Sequence, residues 1–212
     1  MMSTVPFLAE QRVILDHIRW QTYLAILDDA ENCRGRITYD RGVLEIMAPS
    51  KLHEKVKSLI GRMVEVFTEE LNIDIESVGS TTFKREDLAQ GFEPDESYYI
   101  QHAAEVRGKD EIDLLIDPPP DLLVEVDISR SSLNKFDIYS ALGVPEVWRY
   151  DGERLRFYVL QADTYIEIQE SLALPPLSAS QLSHVLSQRL DESETTLIRQ
   201  FRQSIQDNNL TR

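Results

Sequence analysis

The 212-residue sequence lacks the features that mark several classes of protein. Its single cysteine, Cys33, excludes an internal disulfide and a cysteine-based zinc site. The sequence contains no run of about 18 apolar residues, so it predicts no membrane-spanning helix and no membrane partner. The N-terminus shows no basic-then-apolar signal pattern, which leads us to expect a cytoplasmic protein.

Several catalytic motifs are also missing. The sequence contains no GxSxG, GxGxxG or GxxxxGK[ST] motif, which argues against serine hydrolases and nucleotide-binding enzymes. Its four histidines do not have the HExxH spacing of zinc proteases. Those histidines are His17, His53, His102 and His184.

Positive charge is scarce, since 22 Lys and Arg residues face 37 Asp and Glu residues and the net charge is −15. This balance argues against a large non-specific nucleic-acid surface but permits a small basic groove. One relatively basic run is a candidate DNA-facing surface, although a solvated helix face explains it equally well. The run consists of Arg34, Arg36, Lys51, Lys55, Lys57 and Arg62.

A predicted strand at Asp121–Ile128 has two different faces. Alternate side chains of a strand point to opposite sides, so Leu122, Val124, Val126 and Ile128 form an apolar face. The other face carries Asp121, Leu123, Glu125 and Asp127. Such an acidic row suits either an edge strand with a wet surface or a site for a divalent cation.

The helix predicted after this strand adds a cation. Ser131 and Ser132 are N-cap candidates, and Gly143 is expected to follow the end of the helix. Lys135 lies at the margin of the apolar stripe formed by Phe136, Tyr139 and Leu142, from which it could reach the end of the preceding strand. A lysine bordering a core helix explains the same position without any functional role.

Other segments have recognisable patterns. We predict a helix at Arg19–Ala30, a hairpin with strands Gly35–Asp40 and Val43–Met47, and a long helix at Leu52–Leu71. Later strands are expected at Asp95–Ile100, Ile112–Ile116, Val144–Tyr150, Arg154–Leu160 and Thr164–Ile168. Gln101–Glu111 is predicted to be a flexible loop, and residues 179–190 and 192–206 are predicted to be helices.

Asp95, Glu125 and Lys135 together suit phosphodiester hydrolysis. Mg²⁺ prefers oxygen ligands, typically one or two carboxylates with waters and substrate phosphate. A bound divalent ion can activate water and neutralise charge on phosphate, and a nearby lysine can orient that water. Spacing alone makes this a weak signal, because acidic sequences contain many such trios.

The order of these motifs resembles the PD-(D/E)xK nuclease superfamily, and within it a bacterial family of unknown function described as restriction endonucleases. The resemblance covers roughly residues 15–205. The matching segments are Trp20–Tyr23, Tyr39–Ile46, Pro49-Ser50 with His53-Glu54, Glu93–Asp95, Pro120–Leu122, Val124–Val126, Lys135 with Tyr139, and Gly143–Glu146 with Trp148.

This resemblance implies an α/β fold with a restriction-endonuclease-like core. A mixed central β-sheet would be flanked by helices, with an N-terminal helix and hairpin and C-terminal helices. The implied organisation is an N-terminal extension at residues 1–18, a nuclease-like domain at 19–176, and C-terminal helices at 177–212 packed on the same domain.

The resemblance also implies roles for individual residues. Asp95, Glu125 and the main-chain carbonyl of Val126 would bind Mg²⁺ or Mn²⁺, and Glu54 is an acidic helix position that can complete such sites. The superfamily pattern has lysine two residues after the glutamate, where this sequence has Asp127. Lys135 is then either a relocated lysine or a sign that the site is damaged.

The leading hypothesis is therefore a metal-dependent endonuclease acting on DNA, in which Lys135 positions the attacking water. A homodimer would suit cleavage of both strands. The alternative is a catalytically inactive nuclease-fold protein that binds a protein or nucleic-acid partner. A third interpretation, a small-molecule phosphoesterase, predicts a closed pocket in place of an open groove.

Overall fold

The computed structural model describes residues 10–29, 35–129 and 133–210. Cys33, Arg34 and the N-cap candidates Ser131 and Ser132 lie outside these ranges. The described strands are β1 (Gln11–Leu15), β2 (Arg36–Asp40), β3 (Val43–Ala48), β4 (Glu76–Ser77), β5 (Phe83–Arg85), β6 (Gln90–Phe92), β7 (Glu96–Tyr99), β8 (Leu122–Val126), β9 (Glu146–Tyr150), β10 (Leu155–Gln161) and β11 (Thr164–Ile168). The described α-helices are α1 (Trp20–Asp29), α2 (Lys51–Leu71), α3 (Ala103–Val106), α4 (Lys135–Ala141), α5 (Ala179–Ser187) and α6 (Glu194–Leu210).

The larger of two sheets has six strands in the order β11-β10-β9-β8-β7-β4. Strand β8 pairs with β9 in parallel and with β7 antiparallel, while the other pairs are antiparallel, so the sheet is mixed as expected. Because β8 lies between two partners, the interpretation of its acidic row as the surface of an edge strand is wrong.

The predicted hairpin belongs to a second sheet with the order β1-β3-β2-β6-β5. All its pairings are antiparallel, and β1 adds to the free side of β3. The hairpin itself was predicted, but its recruitment into a separate five-stranded sheet was not. Alternating hydrophobicity identifies a strand without specifying which distant strand will pair with it.

The two faces of β8 differ as the sequence predicts. Leu122, Val124 and Val126 are buried in the main core, on the side covered by α2, α5 and α6. Leu123 points to the other side, where it joins a second core cluster that contains Ile138 and Tyr139 of α4. Since side chains alternate along the strand, Glu125 also faces the side covered by α4.

Helix α2 carries His53 and Glu54 in its first turn. Ser50 caps its first turn by accepting a hydrogen bond from the His53 amide at 3.2 Å. The helix ends at Leu71, and the C-cap residue Asn72 has a left-handed conformation (φ 54°) in which its amide donates to carbonyls of the last turn. At the other end, the N-cap fixes the direction of the first-turn side chains, so that His53 lies inside the protein and Glu54 lies at its surface.

Two local predictions are wrong. Residues 112–116 form turns and not a strand, because Asp117 accepts the Asp113 amide at 2.9 Å and offers the backbone an alternative to sheet pairing. The predicted flexible loop at Gln101–Glu111 contains the short helix α3, which buries Ala103 and Val106 beside Tyr99.

No helix among the described residues is long and apolar enough to span a bilayer.

Candidate active site

Glu125 and Lys135 meet in the interior of the protein. Glu125 lies near the end of β8, and Lys135 is the first residue of α4. The lysine Nζ donates a hydrogen bond to Glu125 Oε2 at 2.8 Å, and both side chains are buried. The position of Lys135 at the margin of the helix stripe thus brings its ammonium group onto the acidic face of the strand, as the sequence predicts.

Asp95 lies beside this pair, immediately before β7. Strand β7 runs antiparallel to β8, and the Val126 amide donates to Asp95 Oδ2 at 2.8 Å. The other oxygen, Oδ1, contacts His53 Nε2 at 2.8 Å and lies 3.7 Å from Arg36 Nε. The candidate residues Asp95, Glu125, Val126 and Lys135 are therefore brought together.

His53 connects Asp95 to Glu10, a residue just before β1. The His53 Nδ1 atom lies 2.6 Å from Glu10 Oε1, so both ring nitrogens face carboxylate oxygens. Because ionised carboxylates only accept hydrogen bonds, this geometry calls for an imidazolium that donates from both nitrogens. Burial acts to lower the pKa of His53, but the hydrogen bonds to Asp95 and Glu10 outweigh it and raise that pKa to about 9.

Glu10 has two further partners through its second oxygen. Oε2 accepts hydrogen bonds from Arg12 at 2.9 Å and from Ser129, whose amide and hydroxyl lie at 3.2 and 2.5 Å. Burial acts to raise the pKa of Glu10, but the hydrogen bonds from His53, Ser129 and Arg12 lower it to about 2. This carboxylate therefore stays ionised inside the protein.

A cavity of about 60 Å³ adjoins the Glu125–Lys135 pair. It is lined by Glu125, Asp127, Leu133, Asn134, Lys135, Phe136, Tyr139 and Arg149. A water molecule needs roughly 10–15 Å³ of such space, so this cavity has room for several waters or a partly hydrated cation.

Two buried oxygens at this cavity lack a hydrogen-bond partner among the described residues: Glu125 Oε1 and the Tyr139 hydroxyl. Burial, the negative charges of Glu125 and Asp127, and a weak hydrogen-bonding interaction with Glu125 that lacks good geometry raise the pKa of Tyr139 well above its usual range, so this phenol keeps its proton. Unpaired buried polar atoms are costly, and a water molecule or a cation in the cavity would satisfy both of these oxygens.

Electrostatics link the groups of the site. Burial raises the pKa of Glu125 to about 7, with repulsion from Asp95 and Asp127 adding to the effect and Lys135 opposing it. Burial acts in the opposite direction on Lys135, but the charges of Glu125, Asp127 and Asp95 outweigh it and raise the lysine's pKa. Lys135 therefore stays charged. A further cation beside Glu125 would lower the pKa of this carboxyl group and favour its ionised form.

Asp127 occupies the position where the superfamily pattern has lysine. Its carboxylate accepts a hydrogen bond from Arg149 Nε at 2.7 Å and lies 3.5 Å from an Arg12 nitrogen. Arg12 also donates to Glu45 at 2.7 Å. Asp127 is thus paired with arginine side chains at the margin of the cavity, next to the Lys135–Glu125 contact. Among the described residues it makes no direct contact with Asp95.

Glu54 is not brought into this cluster. Its side chain is about half exposed (48%) and lies 4.0 Å from Arg36, which also lies 3.7 Å from Asp95. Glu54 and Asp95 therefore share Arg36 as a neighbour, and the participation of Glu54 in the site stays a prediction.

Comparisons with known proteins show the family to which the chain belongs. The model of a protein family, Uma2, described as "Putative restriction endonuclease", matches residues 20–191. The chain belongs to the Uma2 family. None of the curated proteins compared with the chain matches it.

A solved structure shares the fold. The chain is similar to a protein from Anabaena variabilis ATCC 29413 whose crystal structure is described as that of a "putative nuclease belonging to DUF820". The match has a TM-score of 0.54 and 16% sequence identity, and it covers 79% of this chain and 98% of the other. The likeness establishes the restriction-endonuclease-like fold expected for an Uma2 protein.

Three site residues of this Uma2 chain escaped the sequence analysis. His53 entered the sequence analysis only as part of the matching His53-Glu54 segment, and Glu10 and Arg12 were given no role. Only the His53-Glu54 motif gave a signal, since Glu10 lies 43 positions from His53 and precedes the family match.

The predicted basic run does not form a continuous exposed surface. Arg34 lies outside the described residues. Lys57 lies 3.2 Å from Glu96, and Arg62 lies 3.6 Å from Glu194. These pairings favour the interpretation of the run as an ordinary helix face over that of a DNA-binding surface.

The residues present fit a hard divalent cation with few protein ligands. Glu125 Oε1 is a buried acceptor at the cavity and has no hydrogen-bond partner among the described residues, while Asp95 is close enough to raise the pKa of Glu125 but does not line the cavity. Within the described ranges no group of three or more His, Cys, Asp or Glu side chains has the geometry of a metal cluster. Mg²⁺ commonly uses only one or two carboxylates and keeps its waters, so this donor set suits it.

Proposed function

We propose that this Uma2 protein is an endonuclease that requires Mg²⁺ or Mn²⁺ and hydrolyses phosphodiester bonds of DNA. Membership of the family and the shared fold support a nuclease-like function with a nucleic-acid substrate. The observation that carries the proposal is the 2.8 Å contact of Lys135 with Glu125 beside Asp95. It supplies, from helix α4, the cation that the chain lacks at position 127.

Asp95, Glu125 and the Val126 carbonyl are the proposed metal ligands. When bound there, the divalent ion would lower the pKa of a water molecule and neutralise charge on the scissile phosphate. Glu125 contributes the unpartnered Oε1 atom, while its Oε2 atom holds Lys135. Asp95 contributes a carboxylate whose orientation is fixed by the Val126 amide and His53.

Lys135 is proposed to act as a hydrogen-bond donor. Its raised pKa keeps the ammonium protonated, so it orients water and stabilises negative charge and does not remove a proton. In the reaction, the water oxygen forms a bond to phosphorus and releases its proton to solvent water, the bond from phosphorus to one bridging oxygen breaks, and the departing oxygen takes up a proton from solvent water. Arg149 lines the same cavity with a partly exposed side chain, from which it can pair with phosphate.

One observation favours the alternative of an inactive nuclease-fold protein. Both oxygens of Asp95 already accept hydrogen bonds from protein donors, so the carboxylate is satisfied without a metal. Each carboxylate oxygen nevertheless has two lone pairs, which leaves one direction on each oxygen for a cation. Metal binding therefore discriminates between the two functions.

The test is cleavage of supercoiled plasmid with Mg²⁺, with Mn²⁺ and with EDTA. Glu125→Gln and Lys135→Met should each reduce metal-dependent nicking by about 100-fold or more, since each removes a charge that acts on the reacting phosphate. Glu167→Gln and Lys84→Met make the same chemical changes at solvent-exposed positions and should leave the rate unchanged.

The outcomes separate the candidates. Cleavage of RNA without cleavage of DNA would show that the proposed substrate is wrong. Absence of both cleavage and Mn²⁺ binding, measured by calorimetry, would overturn the proposed nuclease and support an inactive binding protein. Cleavage that survives Glu125→Gln would place the active site elsewhere.

A further inference from the structure

Glu10, the residue just before β1, is linked through His53 to the proposed metal ligand Asp95. Glu10 and His53 are separated by 43 positions, and His53 and Asp95 by 42. Their contacts, at 2.6 and 2.8 Å, form an unbroken line from Glu10 Oε1 through the imidazole to Asp95 Oδ1. Long-range contacts of this kind must be specified by the fold, because no local turn or helix creates them.

All members of this line are withdrawn from solvent. The side chains of Glu10 and His53 are fully buried, and that of Asp95 is 2% exposed. Burying charged groups is expensive, and apolar side chains of similar volume would often stabilise a core equally well. A buried, fully hydrogen-bonded line ending on a proposed ligand is therefore better explained by the orientation it imposes than by stability.

We propose that Glu10 and His53 are positioning residues that hold Asp95 for metal binding, so that Glu10, next to β1, completes the site. The inference rests on the proposed function, since it assigns Asp95 as a metal ligand. His53 Nε2 and the Val126 amide each donate a hydrogen bond to one oxygen of Asp95. Together these bonds fix the position of the carboxylate and the plane in which its free lone pairs lie.

Glu10 also joins the two halves of the site. Its Oε1 atom supports Asp95 through His53, while its Oε2 atom accepts hydrogen bonds from the amide and hydroxyl of Ser129. Ser129 follows β8 and precedes the helix that carries Lys135. A single carboxylate thus anchors both the Asp95 side and the segment between Glu125 and Lys135.

The test measures Mn²⁺ binding by calorimetry and, separately, the Mn²⁺ concentration that half-activates cleavage. Glu10→Gln keeps an acceptor oxygen but removes its charge, and His53→Gln can retain a donor to Asp95 while losing the contact with Glu10. Partners that orient metal ligands typically contribute about 10–100-fold to metal affinity. We expect each variant to weaken Mn²⁺ binding by about 10-fold and cleavage to recover substantially at saturating Mn²⁺.

The control is a second histidine–aspartate pair in the same protein. His102 Nδ1 contacts Asp121 Oδ1 at 2.5 Å, at the opposite end of β8 from Glu125. His102→Gln should leave Mn²⁺ affinity and half-activation unchanged. The double variant Glu10→Gln/His53→Gln should bind Mn²⁺ about as weakly as the weaker single variant if the two residues act as one line.

The possible results are distinguishable. Normal Mn²⁺ affinity in both single variants, measured below their melting temperatures, would overturn the positioning role even if the variants were less stable. Wild-type protein that binds no Mn²⁺, or Glu125→Gln protein that binds it as tightly as wild type, would overturn the proposed function, and the positioning role would be lost with it.

Discussion

Each end of β8 carries a buried carboxylate, and the two carboxylates differ in how completely they are hydrogen-bonded. At the beginning, Asp121 accepts hydrogen bonds from the Ile100 amide at 2.7 Å and the His102 amide at 3.0 Å, and its other oxygen contacts the His102 ring. Near the other end, Glu125 holds Lys135 through one oxygen, and its second oxygen has no hydrogen-bond partner among the described residues. One carboxylate is saturated and the other is not.

Cavity size alone would favour the Asp121 end of β8 as the candidate site. A cavity of about 340 Å³ adjoins Asp121, whereas the one beside Glu125 is about 60 Å³. The larger cavity also contains Glu146, but the oxygens of this carboxylate accept hydrogen bonds from Trp148, at 2.6 Å, and from the amides of Leu172 and Ala173. Unsatisfied acceptors, and not volume, therefore distinguish the candidate active site from a structural pocket.

The largest effect is expected for Lys135→Met, which makes the Glu125 end still less satisfied. The change leaves a buried carboxylate without its cation, and breaking such a pair typically costs about 3–5 kcal/mol, less where the carboxylate takes up a proton. We predict a loss near 3 kcal/mol in urea unfolding at neutral pH, together with the loss of cleavage described above.

Lys84→Met is the matched control because its exposed ammonium group should contribute little to stability. Equal unfolding midpoints for wild type and Lys135→Met would show that the Lys135–Glu125 contact does not form in solution.

The next effect tests the saturated end. Asp121→Asn removes the negative charge from a side chain that accepts two backbone amides and turns one of its two oxygens into an NH₂ group, which cannot accept a hydrogen bond. Hydrogen bonds to a charged acceptor are worth about 1.5–3 kcal/mol each, so we expect a loss of about 2 kcal/mol in urea unfolding. Plasmid cleavage, measured where the variant is fully folded, should remain at the wild-type rate, and its loss would contradict the division between the two ends of β8.

The sequence predicted much of the Glu125 end from local patterns. Alternation along β8 placed Glu125 opposite the apolar face, and helical spacing placed Lys135 at the margin of the α4 stripe. Both patterns are short-range consequences of strand and helix geometry. The position of Lys135 could therefore be predicted before any tertiary contact was known.

The remainder of the site depends on tertiary pairing. Glu10 meets His53 only because β1 joins β3 in the second sheet, and nothing in the local sequence specifies that partner. His53 itself follows a clear N-cap, Ser50, which explains its position without reference to Asp95. The network that orients Asp95 was consequently invisible to sequence patterns.

A smaller, pH-dependent effect is expected for Glu10. Its pKa is lowered to about 2 in the folded protein from an ordinary value of 4.5. A lowered pKa contributes stability that is present above pH 4.5 and is lost as pH falls towards 2. Allowing for partial solvent screening, we expect Glu10→Gln to cost about 1–2 kcal/mol at pH 7 and progressively less below pH 4.5.

The measurement is urea unfolding of both proteins from pH 7 to the lowest pH at which wild type folds. Charged or polar groups facing Glu10 come from three parts of the chain, and Arg12 in turn faces two further carboxylates. These groups are His53 of α2, Arg12 of β1 and Ser129, with Glu45 and Asp127 around Arg12. A difference between the two proteins that does not diminish below pH 4.5 would assign the stabilisation to packing instead of charge.

The smallest effect is expected for Tyr139→Phe, which removes an unpaired group from the Glu125 end. The hydroxyl is buried beside Glu125 and forms no hydrogen bond of good geometry among the described residues, so its loss costs at most a weak interaction with Glu125 and relieves a desolvated polar atom. We expect the free energy of unfolding to increase slightly, by less than about 1 kcal/mol. A loss of about 2 kcal/mol or more would mean that the hydroxyl has a stable partner in solution, such as a cavity water shared with Glu125 Oε1, and that this end of β8 is better satisfied than the structure indicates.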